Sequence, residues 1–468
     1  MVLFIVILYI VGMLIVGWWC GKYYIKGMTD FLLAGRRLGP WLLTATLVAT
    51  HFGGGAVMGG GEYGYNYGLS GAWYGISCGV GLLFLFFTSK FRDLALYTVP
   101  DYLEHRYGGK AVRVLGAILS LVALIGILAA QTIATRSALS IVGIKGNIGA
   151  VLATIVFIVY TMAGGLWADT LTDFVQIIVA AIGVVWATII VLSKAGGMAG
   201  LASLVADKGV TDQYFSIWGM GYSTIMWILL PTVMYTLIGQ DFYQRLFSAR
   251  DSRTAKIGSL AGGIVMIILS FFPAIIGMGA RVLSDIEDAS SAVPWVLQNL
   301  MNPVIGGIFL AAILAAIMST ADSLLTAATA HIVKDLWIET FHVDEVKEEK
   351  KLLAVSRNFT FIIGILSLII ALIVPGIIDA LIYSYTMYTA GVFIPVIGGL
   401  VWKGATRAGA LSSIITGSII ALTGILTKAN IYGAPVEVYA ALFSLGVFII
   451  VSLITQPKKA DDINKTKT

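Results

Sequence analysis

The residues with the greatest chemical capacity sit where the chain is otherwise apolar. Ser319, Asp322 and Ser323 lie in the stretch Ala315-Ala316-Ile317-Met318-Ser319-Thr320-Ala321-Asp322-Ser323. Their i, i+3 and i+4 spacing puts a carboxylate and two hydroxyls on one helical face. Hard oxygen ligands of that kind suit a small cation. Hydroxyls alone more often satisfy a nearby helix carbonyl, and it is the carboxylate that points to an ion. The other ionisable groups set in apolar sequence are His51, Glu62, Arg136, Asp169, Asp173, Asp241 and His331. Glu62 and Asp241 fall near segment ends, where solvation is the simpler reading. Asp322 is deep within its segment, where an ionisable group is costly and is a functional hypothesis by default.

A second feature is Ala49-Thr50-His51-Phe52-Gly53-Gly54-Gly55, followed by Gly59-Gly60-Gly61. Each glycine destabilises a helix interior by roughly 1 kcal/mol relative to alanine. A break in mid-membrane frees carbonyls, which is tolerable only where they face protein, water or an ion. Close helix packing through small residues accounts for Gly59–Gly61. Gly53–Gly55, beside a histidine, reads as an unwound binding segment. Gly239-Gln240-Asp241 offers a weaker second break.

Two rival classes fit less well. A membrane-embedded enzyme would need a nucleophile–base or metal constellation, yet the chain has only four histidines and no HExxH. Cys20 and Cys78 both lie in apolar stretches and support neither a disulfide framework nor a metal cluster. A passive channel would leave a hydroxyl–carboxylate cluster opposite a glycine-broken helix unexplained.

The elements that position these groups follow from composition. The 468 residues are 58% hydrophobic and 12% charged, against about 45–50% and about 25% in soluble domains. The solvent is therefore a bilayer. A spanning helix needs about 20 apolar residues. Candidates lie near 2–21, 41–66, 70–89, 113–140, 146–163, 170–193, 223–241, 256–281, 303–332, 356–375, 378–402, 408–427 and 434–455, thirteen in all. The first lacks the basic start and small-residue cleavage site of a signal peptide and is expected to stay. Residues 1–455 read as a single transmembrane domain, with a polar cytoplasmic tail over 456–468. The run Asp344–Lys351 reads as a solvated helix.

The net charge of +5 is scattered through short loops, which argues against a nucleic-acid partner and makes the basic residues a topology signal. With the N-terminus outside and the C-terminus cytoplasmic, 24 of the 30 basic residues fall inside, Arg245 among them. A multi-pass protein of the inner or plasma membrane is expected.

At these residues the chain resembles the sodium:solute symporter family. The likeness runs from Gly35-Arg36-Arg37-Leu38-Gly39-Pro40 to the thirteenth segment, through the glycine-broken second segment and through Ala316–Ser323. Its most specific part is Tyr160-Thr161-Met162-Ala163-Gly164-Gly165-Leu166 leading to Thr172-Asp173. The segment Gln240-Asp241-Phe242-Tyr243-Gln244-Arg245 resembles the branch that includes choline, proline and pantothenate carriers.

The resemblance implies an all-α fold of two inverted five-helix repeats, segments two to six and seven to eleven, with one leading and two trailing helices. It also implies alternating access around a midplane site, no cofactor, and Na+ as the coupling ion. Ala49, Phe52 and Ala316 match carbonyl ligands of a sodium site, and Ser319 and Thr320 match its hydroxyl ligands. Asp173, Ser319, Asp322 and Ser323 match a second sodium site of some members, with Asp322 standing where some relatives have serine. Choline carriers have aromatics at the positions of His51 and Gly239, so an aromatic cage for a quaternary ammonium is incomplete here. The expected solute is a small carboxylate-bearing molecule such as an amino acid, pantothenate or a monocarboxylate. It would be contacted by His51, Gly53, Gly54, Gln240 and Tyr385. Tyr383 and Tyr388, near Tyr385, are further candidates to line the cavity.

Overall fold

The computed structural model describes residues 2–140, 142–144, 146–209, 212–338, 341–344, 347–374, 377–427 and 435–456. Among them the architecture is all-helical, and the one non-helical pairing is an isolated bridge between Leu38 and Ala249. In chain order the main helices are α1 (Val2–Tyr23), α2 (Pro40–His51), α3 (Gly60–Tyr67), α4 (Trp73–Leu85), α5 (Val99–Tyr107), α6 (Lys110–Ser140) and α7 (Asn147–Ala195). Then come α8 (Tyr222–Thr236), α9 (Gln240–Ser248), α10 (Ser252–Leu283), α11 (Pro303–Ala330), α12 (Glu349–Ile373), α13 (Ile377–Val401), α14 (Arg407–Thr427) and α15 (Val436–Thr455).

Among the described residues, ten helical segments are long and apolar enough to cross a membrane, or eleven when the bent pair α8–α9 is taken as one. The difference from the thirteen expected arises where helices merge or break. α2 has only 12 residues, while Gly54–Ser89 forms one 36-residue apolar segment. The expected segments 146–163 and 170–193 are joined in the 49-residue α7. An unbroken helix of that length would measure about 73 Å, more than twice the hydrocarbon thickness.

The sequence dictates the breaks locally. α2 ends at His51, Phe52 leaves helical geometry at ψ 42°, and Gly53 reaches ψ −139° before a π-helical turn over Gly54–Gly59. The break thus falls at Phe52–Gly53, at the start of the expected unwound stretch. Gly60 and Gly61 pack closely, as expected of small residues: a Cβ on Gly61 would lie 2.2 Å from Val293. α7 is interrupted at Gly165, whose φ of 51° is left-handed. A side chain there would also meet the Phe31 ring and carbonyl at 2.6–2.7 Å, so both backbone and space require glycine. The third break, Leu237–Gly239, bends α8 from α9 by 40°.

Packing places α11 at the centre and α1 at the rim. In the most apolar window of each, 83% of the α11 segment is buried but only 19% of α1. α11 packs against α6 and α7, and α10 packs against α2, α3 and α4. Lipid tails are as apolar as leucine, so close approach through small residues, rather than a hydrophobic force, holds such helices together. Of the solvated helix expected at Asp344–Lys351, residues 345–346 lie outside the described residues and only Glu349–Lys351 is helical, as the start of α12; exposed pairs join Lys347 to Asp344 and Lys351 to Glu348. The polar tail beyond Gln456 lies outside the described residues.

Candidate functional site

The broken end of α2 lies against α11. Thr320 Oγ1 is 3.0 Å from the carbonyl oxygen of Ala49 and 3.1 Å from that of Ala316. One hydroxyl proton serves only one acceptor at a time, so three oxygens gather around two helices with one proton among them. Gly53 closes the space beside them, since a Cβ there would sit 2.3 Å from Thr320 Oγ1. Phe52 supplies a carbonyl at the break itself. Ser319, the preceding residue on α11, donates its hydroxyl proton to Asp173 Oδ1 on α7. A hydroxyl that donates to a carboxylate keeps its lone pairs for a cation.

The second expected ligand set is divided by the structure. Asp173 accepts from Ser319 and from Thr46 of α2. Ser323 donates to Asp169 Oδ2 at 2.8 Å. Asp322 turns instead to Thr161, which donates to its Oδ1 at 2.8 Å. No hydrogen bond joins Asp322 to Asp173 or Ser323. The shared helical face therefore serves two separate groups.

Between Asp169 and Asp173 lies a residue assigned from sequence to a cytoplasmic loop. Arg245 is fully buried, and its guanidinium donates to Asp169 Oδ2 at 2.9 Å, to Ser323 Oγ, to the Asp241 carbonyl at 3.0 Å and, through Nε, to Thr46 Oγ1 at 2.8 Å. Asp173 Oδ2 is 3.7 Å away. Arg245 is therefore not the loop residue and topology marker expected from sequence, because every residue of α9 is buried. An arginine brought into a core must be paired, and its planar fork allows several acceptors at once. One guanidinium faces two carboxylates, Asp169 and Asp173, and Asp169 Oδ1 and Asp322 Oδ2 are buried with no hydrogen-bond partner.

Beside this cluster is a narrow cavity between the breaks of α2 and α8–α9. His51, Gly55, Gln131, Tyr235, Asp241 and Tyr385 are among its lining. Its free volume is about 10 Å³, room for roughly one water. His51 Nε2 is 3.1 Å from Thr236 Oγ1, and its ring lies 4.3 Å from that of Phe242. Tyr385 pairs with the Tyr74 hydroxyl at 3.1 Å and stacks on Tyr235 at 4.3 Å. Tyr235 donates to Asp241 at 2.9 Å.

Of the expected solute contacts, His51 and Tyr385 line this cavity. Gly54 backs it, donating its N–H to Gln131 Oε1 at 2.9 Å, and Gly53 faces Thr320. Gln240 is elsewhere: its amide accepts from Val99 N at 2.9 Å and donates to the Tyr97 carbonyl at 3.0 Å. Tyr388 binds the Ile238 carbonyl at the third break, at 2.8 Å, while Tyr383 is exposed. Asp241 is not solvated as expected; it is 3% exposed and lines the cavity. Gln131 is not among the candidates from sequence, although an amide within an apolar segment carries the same signal as an ionisable group.

Comparison with known proteins bears on the family and the fold. The family model described as sodium:solute symporter family matches residues 31–417. The sodium/pantothenate symporter of Escherichia coli (strain K12) is 30% identical over 90% of each chain. The sodium/proline symporter of Staphylococcus aureus (strain JH9) is 25% identical, covering 98% of this chain and 94% of its own. Among solved structures, a Na+-coupled sialic acid symporter in a substrate-bound outward-open state superposes with a TM-score of 0.82 at 21% identity, covering 98% of both chains. A nucleobase-cation-symport-1 family transporter in a closed conformation gives 0.58 at 12% identity, covering 91% of this chain and 95% of its own. Both structures share the fold. With that match and that coverage, the chain belongs to the sodium:solute symporter family.

Proposed function

We propose that this protein is a Na+-coupled symporter that imports a small carboxylate-bearing solute by alternating access. The observation that carries the reading is the Thr320 hydroxyl held between the Ala49 and Ala316 carbonyls at the end of α2. The carbonyls of Ala49, Phe52 and Ala316 and the hydroxyls of Ser319 and Thr320 form one sodium shell. An ion there clamps α11 against the broken helix. Coupling requires that the clamped state bind solute better than the unclamped state.

The solute binds between the breaks, where alternating access widens the narrow cavity lined by His51 and Tyr385 and backed by Gly54. N–H groups at the starts of the Gly54–Gly59 turn and of α9 suit a carboxylate. Asp241 and the tyrosine hydroxyls suit hydroxyl, amide or ammonium groups on the rest of the molecule. Pantothenate and proline, named for the two relatives, each combine a carboxylate with such donors. At the second ligand set, the guanidinium of Arg245 takes the place of an ion for Asp173 and Ser323, so one sodium moves with each solute. The N-terminus lies outside and the C-terminus inside.

The direct test is solute uptake into proteoliposomes, with candidates chosen by thermal shift in sodium buffer. Uptake requires an inward sodium gradient and is lost when potassium or choline replaces sodium. Uptake driven by a proton gradient alone overturns the assignment.

A further inference from the structure

The rim of the molecule carries a basic groove that the transport mechanism does not use. It has a volume of about 430 Å³ and is lined by Trp18, Gly21 and Lys22 of α1, by Val159, Met162 and Ala163 of α7, and by Arg357 of α12. Three helices therefore meet there. Its floor is tight, since a Cβ on Gly21 would lie 2.2 Å from the Ala163 carbonyl. Arg357 is held in place by donating Nε to the Met162 carbonyl at 3.1 Å, which leaves the rest of its guanidinium for the groove. The Lys22 ammonium lies 5.2 Å from the Trp18 ring and 5.4 Å from that of Tyr23. No carboxylate among the described residues forms an ion pair with Lys22 or Arg357.

The surroundings say which anion fits. Trp18, Trp19 and Tyr23 are exposed at the C-terminal end of α1 beside Lys22, the aromatic-and-basic signature of a membrane–water interface. One turn or so deeper on each wall, Ile15, Ile155 and Phe361 are 59%, 51% and 51% exposed. The groove thus has two cations at headgroup depth and apolar walls leading toward the bilayer interior. A free anion needs only the cations, whereas a lipid uses both.

We infer that this groove binds the headgroup of an anionic phospholipid, with Lys22 and Arg357 on its phosphate and its acyl chains along α1, α7 and α12. The lipid joins the peripheral α1 to α12 and to the first half of α7, three residues before the break at Gly165. Its binding is sensitive to ionic strength, because both contacts are charge-assisted and reached from the interface.

The test uses the purified, delipidated full chain incubated with equal amounts of dioleoyl phosphatidylglycerol and dioleoyl phosphatidylcholine, with retained lipid counted by native mass spectrometry. The wild type retains the anionic lipid, and Lys22→Gln with Arg357→Gln reduces that retention about 10-fold or more. Arg357→Lys, which keeps the charge, restores most of it next to Arg357→Gln. Lys256→Gln, a basic site away from the groove, leaves it unchanged. Should Arg357→Gln not fold, the exposed Lys22→Gln alone still lowers retention. Equal retention by Lys22→Gln and wild type overturns the proposal. So does displacement of the lipid by millimolar inorganic phosphate, which would make this a free-anion site.

Discussion

Thr320 Oγ1 lies 3.0 Å from the carbonyl oxygen of Ala49, tying the central helix α11 to the broken end of α2. Three of the five oxygens proposed for sodium are carbonyls that side-chain mutation does not remove. Ser319→Ala with Thr320→Ala deletes the other two at small steric cost. Sodium affinity is expected to fall at least ~10-fold, or ~1.4 kcal/mol, and solute affinity measured in sodium to fall through the same linkage. Solute affinity without sodium stays nearly constant. Normal sodium binding by calorimetry in the double variant would move the ion elsewhere.

Gly53 reports on the same contact from the other side. A Cβ at Gly53 would come within 2.3 Å of Thr320 Oγ1 and 3.2 Å of the Ala316 carbonyl. Gly53→Ala is therefore expected to abolish sodium-dependent uptake while α2 and α11 remain helical. Sodium titration of tryptophan fluorescence measures the loss. Wild-type sodium dependence in Gly53→Ala would show that these two helices do not hold the ion together.

His51 separates solute from ion. Its ring lines the cavity and reaches Thr236, whereas this stretch of chain offers sodium only the Ala49 and Phe52 carbonyls. His51→Ala weakens solute binding more than sodium binding when both are measured by calorimetry. Equal losses would reduce the residue to a support for the helix break.

Arg245 is a fully buried cation. Removing one partner of a buried ion pair costs about 3–5 kcal/mol, because the other charge is left without compensation. Arg245→Gln is expected to lower the unfolding temperature sharply, and adding Asp169→Asn should recover part of the loss. A double variant less stable than the single one would mean that the arginine acts through packing alone.

Stoichiometry follows from the same residue. With the guanidinium between Asp169, Asp173 and Ser323, the ratio of sodium to solute flux in proteoliposomes is expected to be one. Asp322→Asn, at a carboxylate tied to Thr161, should leave the sodium concentration for half-maximal uptake within about twofold. A flux ratio of two, or a large rise in that concentration, would restore a second ion at Asp322.

The sequence by itself determined the solvent, the helical class, the family and the place of the first break. These depend on local or summed properties: apolar runs long enough to span, three adjacent glycines, hydroxyls and a carboxylate at helical spacing. The pairing of partners was decided only by tertiary structure. Ser319, Asp322 and Ser323 share a face, yet α7 is broken at Gly165, so Thr161 before the break takes Asp322 while Asp169 and Asp173 after it take the serines. Periodicity within one helix carries no information about how its neighbour is bent. Arg245 shows the same limit. Hydropathy places an arginine in a loop because an unpaired charge is excluded from an apolar core, and only the packing of α2, α7 and α11 around α9 brings the acceptors that allow it to be buried.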